Sequence, residues 1–210
     1  MKIGIVCYPT FGGSGVVATE LGLQLSKSKY EVHFITYKQP VRLEIINSSL
    51  FFHEVNVPDY PLFHYQPYEL ALSSKLVDTV KKYNIELLHV HYAIPHAYAA
   101  YMTKQILHSE NINIPIVTTL HGTDITLVGK HPFYKPAVRF SINNSDFVTS
   151  VSEDLKKETI KLFGVKKNIK VIPNFVDFSR HLRHKKDFDR EFIARDDEKI
   201  ISHVSNFRKV

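Results

Sequence analysis

Seven short runs rich in Val and Ile, separated by longer stretches with helical spacing, constrain this chain more than any other feature. Lys2–Cys7, Glu31–Tyr37, Phe51–Val57, Glu86–Tyr92, Pro115–His121, Phe147–Ser152 and Ile169–Pro173 read as strands. Several are apolar on both faces, which suits strands of a parallel sheet covered on both sides. Between them, Val16–Lys27, Tyr68–Tyr83, His96–Ser109, Phe133–Asn143 and Glu153–Phe163 carry apolar residues at helical intervals. Regular strand–helix alternation predicts an α/β fold built on a doubly wound parallel sheet. Right-handed crossovers then bring the loops that follow the strands to one crevice, where such sheets bind ligands.

The last 38 residues break the pattern. Pro173–Asp177 is turn-like, Arg180–Glu198 is charged, and a fresh apolar run, Lys199–Ser205, follows. The expectation is one domain over 1–177, a linker over 178–198, and, over 199–210, the first strand of a second domain that the chain does not complete. Charge follows the same division. Of 27 Lys and Arg and 21 Asp and Glu, 11 basic and 4 acidic residues lie between Lys156 and Arg190. The net charge of +6 therefore belongs to one late segment, which reads as a solvated helix face and linker. Nucleic-acid binding would want that charge interleaved with aromatics or set in a known module, and neither is visible. The single cysteine, Cys7, excludes an intrachain disulfide and a Cys-based zinc site. No apolar run approaches the ~20 residues of a membrane span. Residues 1–7 read as a strand, not a signal peptide, so a cytoplasmic setting is expected.

Three loops hold candidate chemistry. After the first strand, Gly12, Gly13 and Gly15 surround Ser14 just before a helix, and a glycine-rich helix start offers N–H groups and partial positive charge to an anion. Gly13-Ser14-Gly15-Val16-Val17-Ala18 also satisfies the dinucleotide fingerprint, yet Thr36–Pro40 lacks the acid that would hold a ribose. A tight turn for helix–sheet packing alone would use the same glycines. At the end of the fourth strand, alternation puts His89 and His91 on one face, with Tyr92 beside them. His89 reads as a hydrogen-bonded core histidine. At the end of the fifth, His121, Thr123, Asp124 and Thr126 follow directly on apolar residues, and His121 with Thr123 reads as a site. His91 and His121 lack the spacing of a metal pair, so no metal is expected. Arg139, among apolar neighbours, either snorkels to solvent or pairs with an anion.

Gly12–Gly15, His121–Thr126, Val151-Ser152-Glu153 and Ile172–Asp177 resemble the amino-terminal domain of family 4 glycosyltransferases. Those are retaining enzymes of the GT-B fold, in which two Rossmann-like domains face each other across a cleft. Cys7-Tyr8-Pro9, Ala18–Gly22, His89–Ala97 and Val204–Val210 narrow the resemblance to the bacterial branch that transfers N-acetylglucosamine from UDP-GlcNAc to L-malate in bacillithiol biosynthesis. The resemblance implies an acceptor-side half with no cofactor beyond the donor substrate. Ser14 and the loop amides of Gly12, Gly13 and Gly15 would meet acceptor carboxylate and donor phosphates. Tyr92, Thr123 and Arg139, with Ser152 as a further candidate, would hold malate. His121 would be the catalytic position near the transferred sugar. Arg208, with Lys209, would open the donor-side basic region, whose remainder is absent, so the 210-residue chain alone is expected to be inactive. Small molecules are the implied partners, with no nucleic acid and no membrane; a homodimer is left open.

Other readings stay open at this level. A related transferase could use an inositol phosphate or a lipid-linked sugar, for which Pro58–Tyr65 is the one suitable surface stretch. A non-catalytic anion-binding module could use the 156–190 segment, and an NADP-dependent oxidoreductase could use Lys38 and Arg42.

Overall fold

A computed structural model describes residues 1–43, 48–59, 61, 62, 64–178 and 192–203. It contains the expected all-parallel sheet: β1 (Lys2–Val6), β2 (Glu31–Thr36), β3 (Leu50–Glu54), β4 (Leu87–His91), β5 (Ile116–Leu120), β6 (Phe147–Ser150) and β7 (Ile169–Val171), in spatial order β3-β2-β1-β4-β5-β6-β7. The connecting helices are α1 (Gly13–Lys27), α2 (Tyr68–Tyr83), α3 (Tyr98–Ser109), α4 (Lys135–Asn144) and α5 (Glu153–Phe163), with single π-type turns at Ala93–Ala97 and Thr123–Leu127. The Rossmann-like α/β class is therefore observed.

Strand order reverses between β1 and β4. Chain leaving β1 crosses toward β2, whereas chain leaving β4 crosses toward β5, so the two loops part and open a crevice at the carboxyl edge. The run-on apolar strands are explained by burial on both faces. Ile3 and Ile5 of β1 pack with Ala18 of α1, while Val6 packs with Leu72 and Leu76 of α2 and with Ala99 and Ala100 of α3. Neighbouring residues thus point to opposite, equally covered faces. Strand ends fall one to three residues short of the apolar runs, because Cys7, Tyr37 and His121 continue the composition but not the ladder. Helix α1 starts three residues early, at Gly13, whose φ of 39° lets the first turn form inside the glycine loop.

The chain divides into two units, Met1–Asn174 and Phe175–Val210. Within the second, the described residues Lys199–His203 form no strand. A lone extended segment gains nothing from its backbone N–H and C=O groups unless another strand pairs with them, and among the described residues none does. Residues 204–210 lie outside the described part, as does most of the expected linker.

Gly22 of α1 lies under the sheet so closely that a Cβ there would sit 2.3 Å from Phe34 Cζ and 3.0 Å from Ile5 Cδ1, both side chains being fully buried. Gly22→Ala gains about 1 kcal/mol of helix propensity but overpacks the core by about 1–3 kcal/mol. A lower urea midpoint at unchanged m-value is the expected outcome.

Candidate active site

The crevice is built from the ends of β1, β4 and β5. Out of β1, the loop turns back so tightly that a Cβ on Gly15 would meet Tyr8 O at 2.3 Å and Thr10 O at 2.8 Å, so only glycine fits there. The N-cap of α1 is Gly12, which offers no side-chain acceptor, and the first turn holds no acidic residue. Gly15 N–H turns back to Gly12 O at 3.2 Å, so the Gly13 and Ser14 amides and the positive dipole end are what the helix start can offer a ligand. Ser14, buried at the start of α1, donates from Oγ to Tyr92 Oη at 3.0 Å. That one bond spans the switch point, joining the loop after β1 to the loop after β4.

Tyr92 adopts φ 91° and ψ 137°, a conformation that costs a residue with a Cβ about 1–3 kcal/mol. Its N–H donates to Thr119 O at 3.0 Å. The next N–H, that of Ala93, donates to Asp124 Oδ2 at 2.9 Å, while His121 N–H and Gly122 N–H donate to Asp124 Oδ1 at 3.2 and 3.1 Å. Asp124 is almost fully buried, and burial raises its carboxyl to about 6 against the pull of those N–H groups. At neutral pH it is still an anion.

Beneath the loops runs a chain of neutral imidazoles. His89 Nε2 meets Thr119 Oγ1 at 2.8 Å, and Thr119 Oγ1 meets Thr149 Oγ1 at 2.7 Å, so His89 is a hydrogen-bonded core residue as its pattern predicted. The His89 and His91 rings stack at 4.7 Å, and His91 Nδ1 lies 2.8 Å from His121 Nε2. His91 Nε2 is buried with no partner among the described residues. A proton there would be an orphaned N–H, so the favoured tautomer has His91 Nδ1–H donating to His121 Nε2. His121 then carries its own proton on Nδ1. His96 donates its Nδ1–H to His91 O and packs its ring 4.6 Å from that of Tyr8. Burial lowers His89, His96 and His121 to about 4, and His91 well below its ordinary value. His121 is thus a neutral imidazole at pH 7, fit to exchange hydrogen bonds and unfit to act as a general acid.

Above these residues lies a cavity of about 800 Å³ lined by Tyr8, Tyr68, Tyr92, Tyr98 and Tyr134, together with Thr123, Asp124, Glu69 and apolar side chains. The structure therefore brings Ser14, Tyr92 and Thr123 to one place, with His121 beside Tyr92 at a ring separation of 5.5 Å. Arg139 is not among the residues lining it. It lines a second cavity of about 520 Å³ with Lys135 and Phe140. The cause is helical phase: Tyr134 and Ala137 turn one side of α4 and its approach to the first cavity, and a residue two positions on from Ala137 points about 200° away. Ser152 accepts the Leu155 N–H at 3.1 Å and caps α5. Arg208 lies outside the described residues. Arg42, one of the two cations of the NADP reading, pairs with Glu20 at 2.9 Å. Cys7 is buried, and its thiol is pushed up to about 12, so it packs rather than reacts. Among the described residues, no group of three or more His, Cys, Asp or Glu is arranged to hold a metal, and no helix is long and apolar enough to cross a membrane.

The sequence reading gave no role to Tyr68, Glu69, Tyr98 and Tyr134. Their signal was available in the topology, since the start of every helix in a parallel sheet lies near the edge where the strands end.

The Glycosyltransferase Family 4 model matches residues 11–180. Among characterised sequences, N-acetyl-alpha-D-glucosaminyl L-malate synthase of Bacillus anthracis is 48% identical over 214 residues, covering 100% of this chain and 55% of that protein. An uncharacterised glycosyltransferase of Methanocaldococcus jannaschii is 27% identical, covering 78% and 46%. The chain spans about half the length of the curated relatives it matches. Among solved structures, a glycosyltransferase from Rickettsia africae superposes with a TM-score of 0.61 at 18% identity, covering 85% of this chain and 44% of that one. A sucrose-phosphate synthase domain from Thermosynechococcus elongatus gives 0.60 at 15%, covering 86% and 93%. Both likenesses concern the fold.

The buried imidazoles set a pH dependence. A histidine whose folded-state value is near 4 stays neutral in the fold while the unfolded chain takes up a proton near 6.5, so the unfolded state gains as pH falls. Asp124 works the other way: raised to about 6, it takes its proton in the fold first, and its share of stability is lost as pH rises through that value. Four imidazoles outweigh one carboxyl. Lowering the pH from 7 to 5 should lower Tm, on the order of 10 °C, in a calorimetric or circular-dichroism melt.

Proposed function

This chain belongs to glycosyltransferase family 4, and on that premise we propose that it is the acceptor-side half of an enzyme transferring N-acetylglucosamine from UDP-GlcNAc to the hydroxyl of L-malate with retention. The observation that carries the reading is the Ser14–Tyr92 hydrogen bond across the switch point, at a helix start that no side chain caps. It places two hydroxyls, first-turn amides and Thr123 around one crevice, a donor set suited to a small carboxylate that presents a hydroxyl. The 48% identity to the Bacillus anthracis N-acetyl-alpha-D-glucosaminyl L-malate synthase, over the whole of this chain and 55% of that protein, supports this acceptor over an inositol phosphate or a lipid-linked sugar. A donor-binding second half belongs to the same proposal, with Arg208 at its beginning.

In the proposed reaction the acceptor hydroxyl attacks the anomeric carbon from the face that the UDP leaves. The departing diphosphate oxygen takes the hydroxyl proton, so the protein supplies position and charge stabilisation rather than a nucleophile. Ser14, Tyr92 and Thr123 orient the acceptor. His121, neutral with its proton on Nδ1, offers a hydrogen bond to the sugar or phosphate without giving up that proton. No Lys or Arg lines the 800 Å³ cavity among the described residues. Positive potential for a dianion comes from the start of α1, and Arg139 is proposed to add to it from the flank of α4.

The test is UDP release by a protein that carries both halves, with L-malate against a panel of hydroxy acids. Release specific to L-malate is expected; release independent of malate, or none, overturns the reading. Residues 1–210 alone should release no UDP. Tyr92→Phe, Ser14→Ala and Thr123→Val should each raise the malate KM about tenfold, the loss of one good hydrogen bond, while leaving the donor KM unchanged. Arg139→Ala should raise it at least as much, and an unchanged KM would remove Arg139 from the acceptor set.

A further inference from the structure

Two loops meet at the site, each running into a single π-type turn, Ala93–Ala97 and Thr123–Leu127. The loop after β4 begins with Tyr92 at φ 91°, and the loop after β5 begins with Gly122 at φ 111°. Glycine accepts such a φ freely, and nothing lies within 4 Å of where a Gly122 Cβ would be, so backbone conformation alone explains that residue. Tyrosine has no such freedom, and something must hold it. The only side chain hydrogen-bonded to the backbone of both loops, among the described residues, is Asp124. Its Oδ2 takes the N–H of Ala93, immediately after the strained residue, and its Oδ1 takes the N–H groups of His121 and Gly122.

We propose that Asp124 is a positioning residue whose carboxylate ties these two loops together, holds the Tyr92 backbone at positive φ, and so presents the Tyr92 hydroxyl to Ser14 and the cavity. The residue is buried at 2% exposure and fixed within the turn Thr123–Leu127, so it acts through the backbone of its neighbours rather than on a ligand. Both oxygens are used as acceptors, on opposite sides, and only a carboxylate can do this. Asparagine keeps the size but turns one side into an N–H₂ group that faces an N–H donor. The consequence for acceptor orientation rests on the malate reading above; the holding of Tyr92 does not.

The test therefore uses the ligand-free 210-residue chain. Asp124→Asn is compared with wild type by amide hydrogen exchange and by ¹³C-tyrosine NMR, with the Tyr92 ring signal assigned through Tyr92→Phe. Exchange protection should fall about tenfold or more at Ala93 and Gly122 while Val90 and Thr118, inside β4 and β5, keep theirs. The Tyr92 ring signal should move, and the same shift should appear in neither Thr123→Val nor Ser152→Ala. Unchanged protection at Ala93 with an unmoved Tyr92 signal overturns the proposal, as does a uniform loss over the whole sheet, which marks a general packing role. If Asp124→Asn does not fold, Asp124→Asn is made in a Tyr92→Gly background, where glycine takes φ 91° without a clamp. Recovery of folding supports the proposal, and failure in both backgrounds overturns it. Malate titration of the same variants is read separately: loops that loosen as described with no malate binding even in wild type would sink the acceptor assignment and leave the role of Asp124 standing.

Discussion

The reversal of strand order between β1 and β4 is the constraint on which the site depends. In a parallel sheet each strand must return by a crossover, and neighbouring crossovers that leave in opposite directions cannot fill the space between them. Here the gap falls between the glycine loop and the Tyr92 loop, and the Ser14–Tyr92 hydrogen bond crosses it beside the packing of Tyr8 on Tyr92 and His96. The two loops solve opposite problems. The first must pass close to its own backbone, which Gly15 permits; the second must turn sharply with a large side chain aimed at the gap, which costs strain at Tyr92.

The strands beneath that strained residue are polar on one face and hydrogen-bonded to one another there, with His91 Nε2 left over. His89, Thr119 and Thr149 form a hydrogen-bonded row across β4, β5 and β6, and His91 continues it to His121. Apolar residues at those positions would pack equally well but would give the loops nothing to bond to. Imidazoles held neutral by burial supply directional contacts without the desolvation cost of buried charge. The row thereby links the middle of the sheet to the residues at its edge.

Much of this was legible in the sequence, for identifiable reasons. Strands were readable because both faces of a central parallel sheet are covered, so Ile3–Val6 runs on without a charged or polar side chain and Val32, Phe34 and Ile35 put apolar groups on both faces. Their ends were not, since Cys7 and Tyr37 have the right composition and no partner in the ladder. That Ser14, Tyr92 and Thr123 lie at the crevice was readable because each directly follows or opens an element at the carboxyl edge. Arg139 was readable as an unusual residue but not as one turned toward the second cavity. Its direction depends on the phase of α4 relative to the sheet, which a helix two residues out of place does not reveal. Ser152 matched a family string, and its hydroxyl also accepts the Leu155 N–H and caps α5. The clamp at Asp124 left no trace in side-chain pattern, because all its partners are backbone N–H groups from two separate loops.

The electrostatics of the cavity bear on what kind of chemistry it can host. Five tyrosines and two carboxylates line it, and the imidazoles packed against the lining, His96 and His121, stay neutral at pH 7. Among the described residues at the cavity, Asp124 is mostly ionised at neutral pH and His121 holds its proton, so neither is suited to deliver one. A mechanism in which the leaving group collects the acceptor's own proton needs only donors that do not titrate. Hydroxyls, backbone amides and a neutral imidazole are of that kind, and their fixed orientation, rather than their acidity, is what the strained loop and its carboxylate clamp preserve.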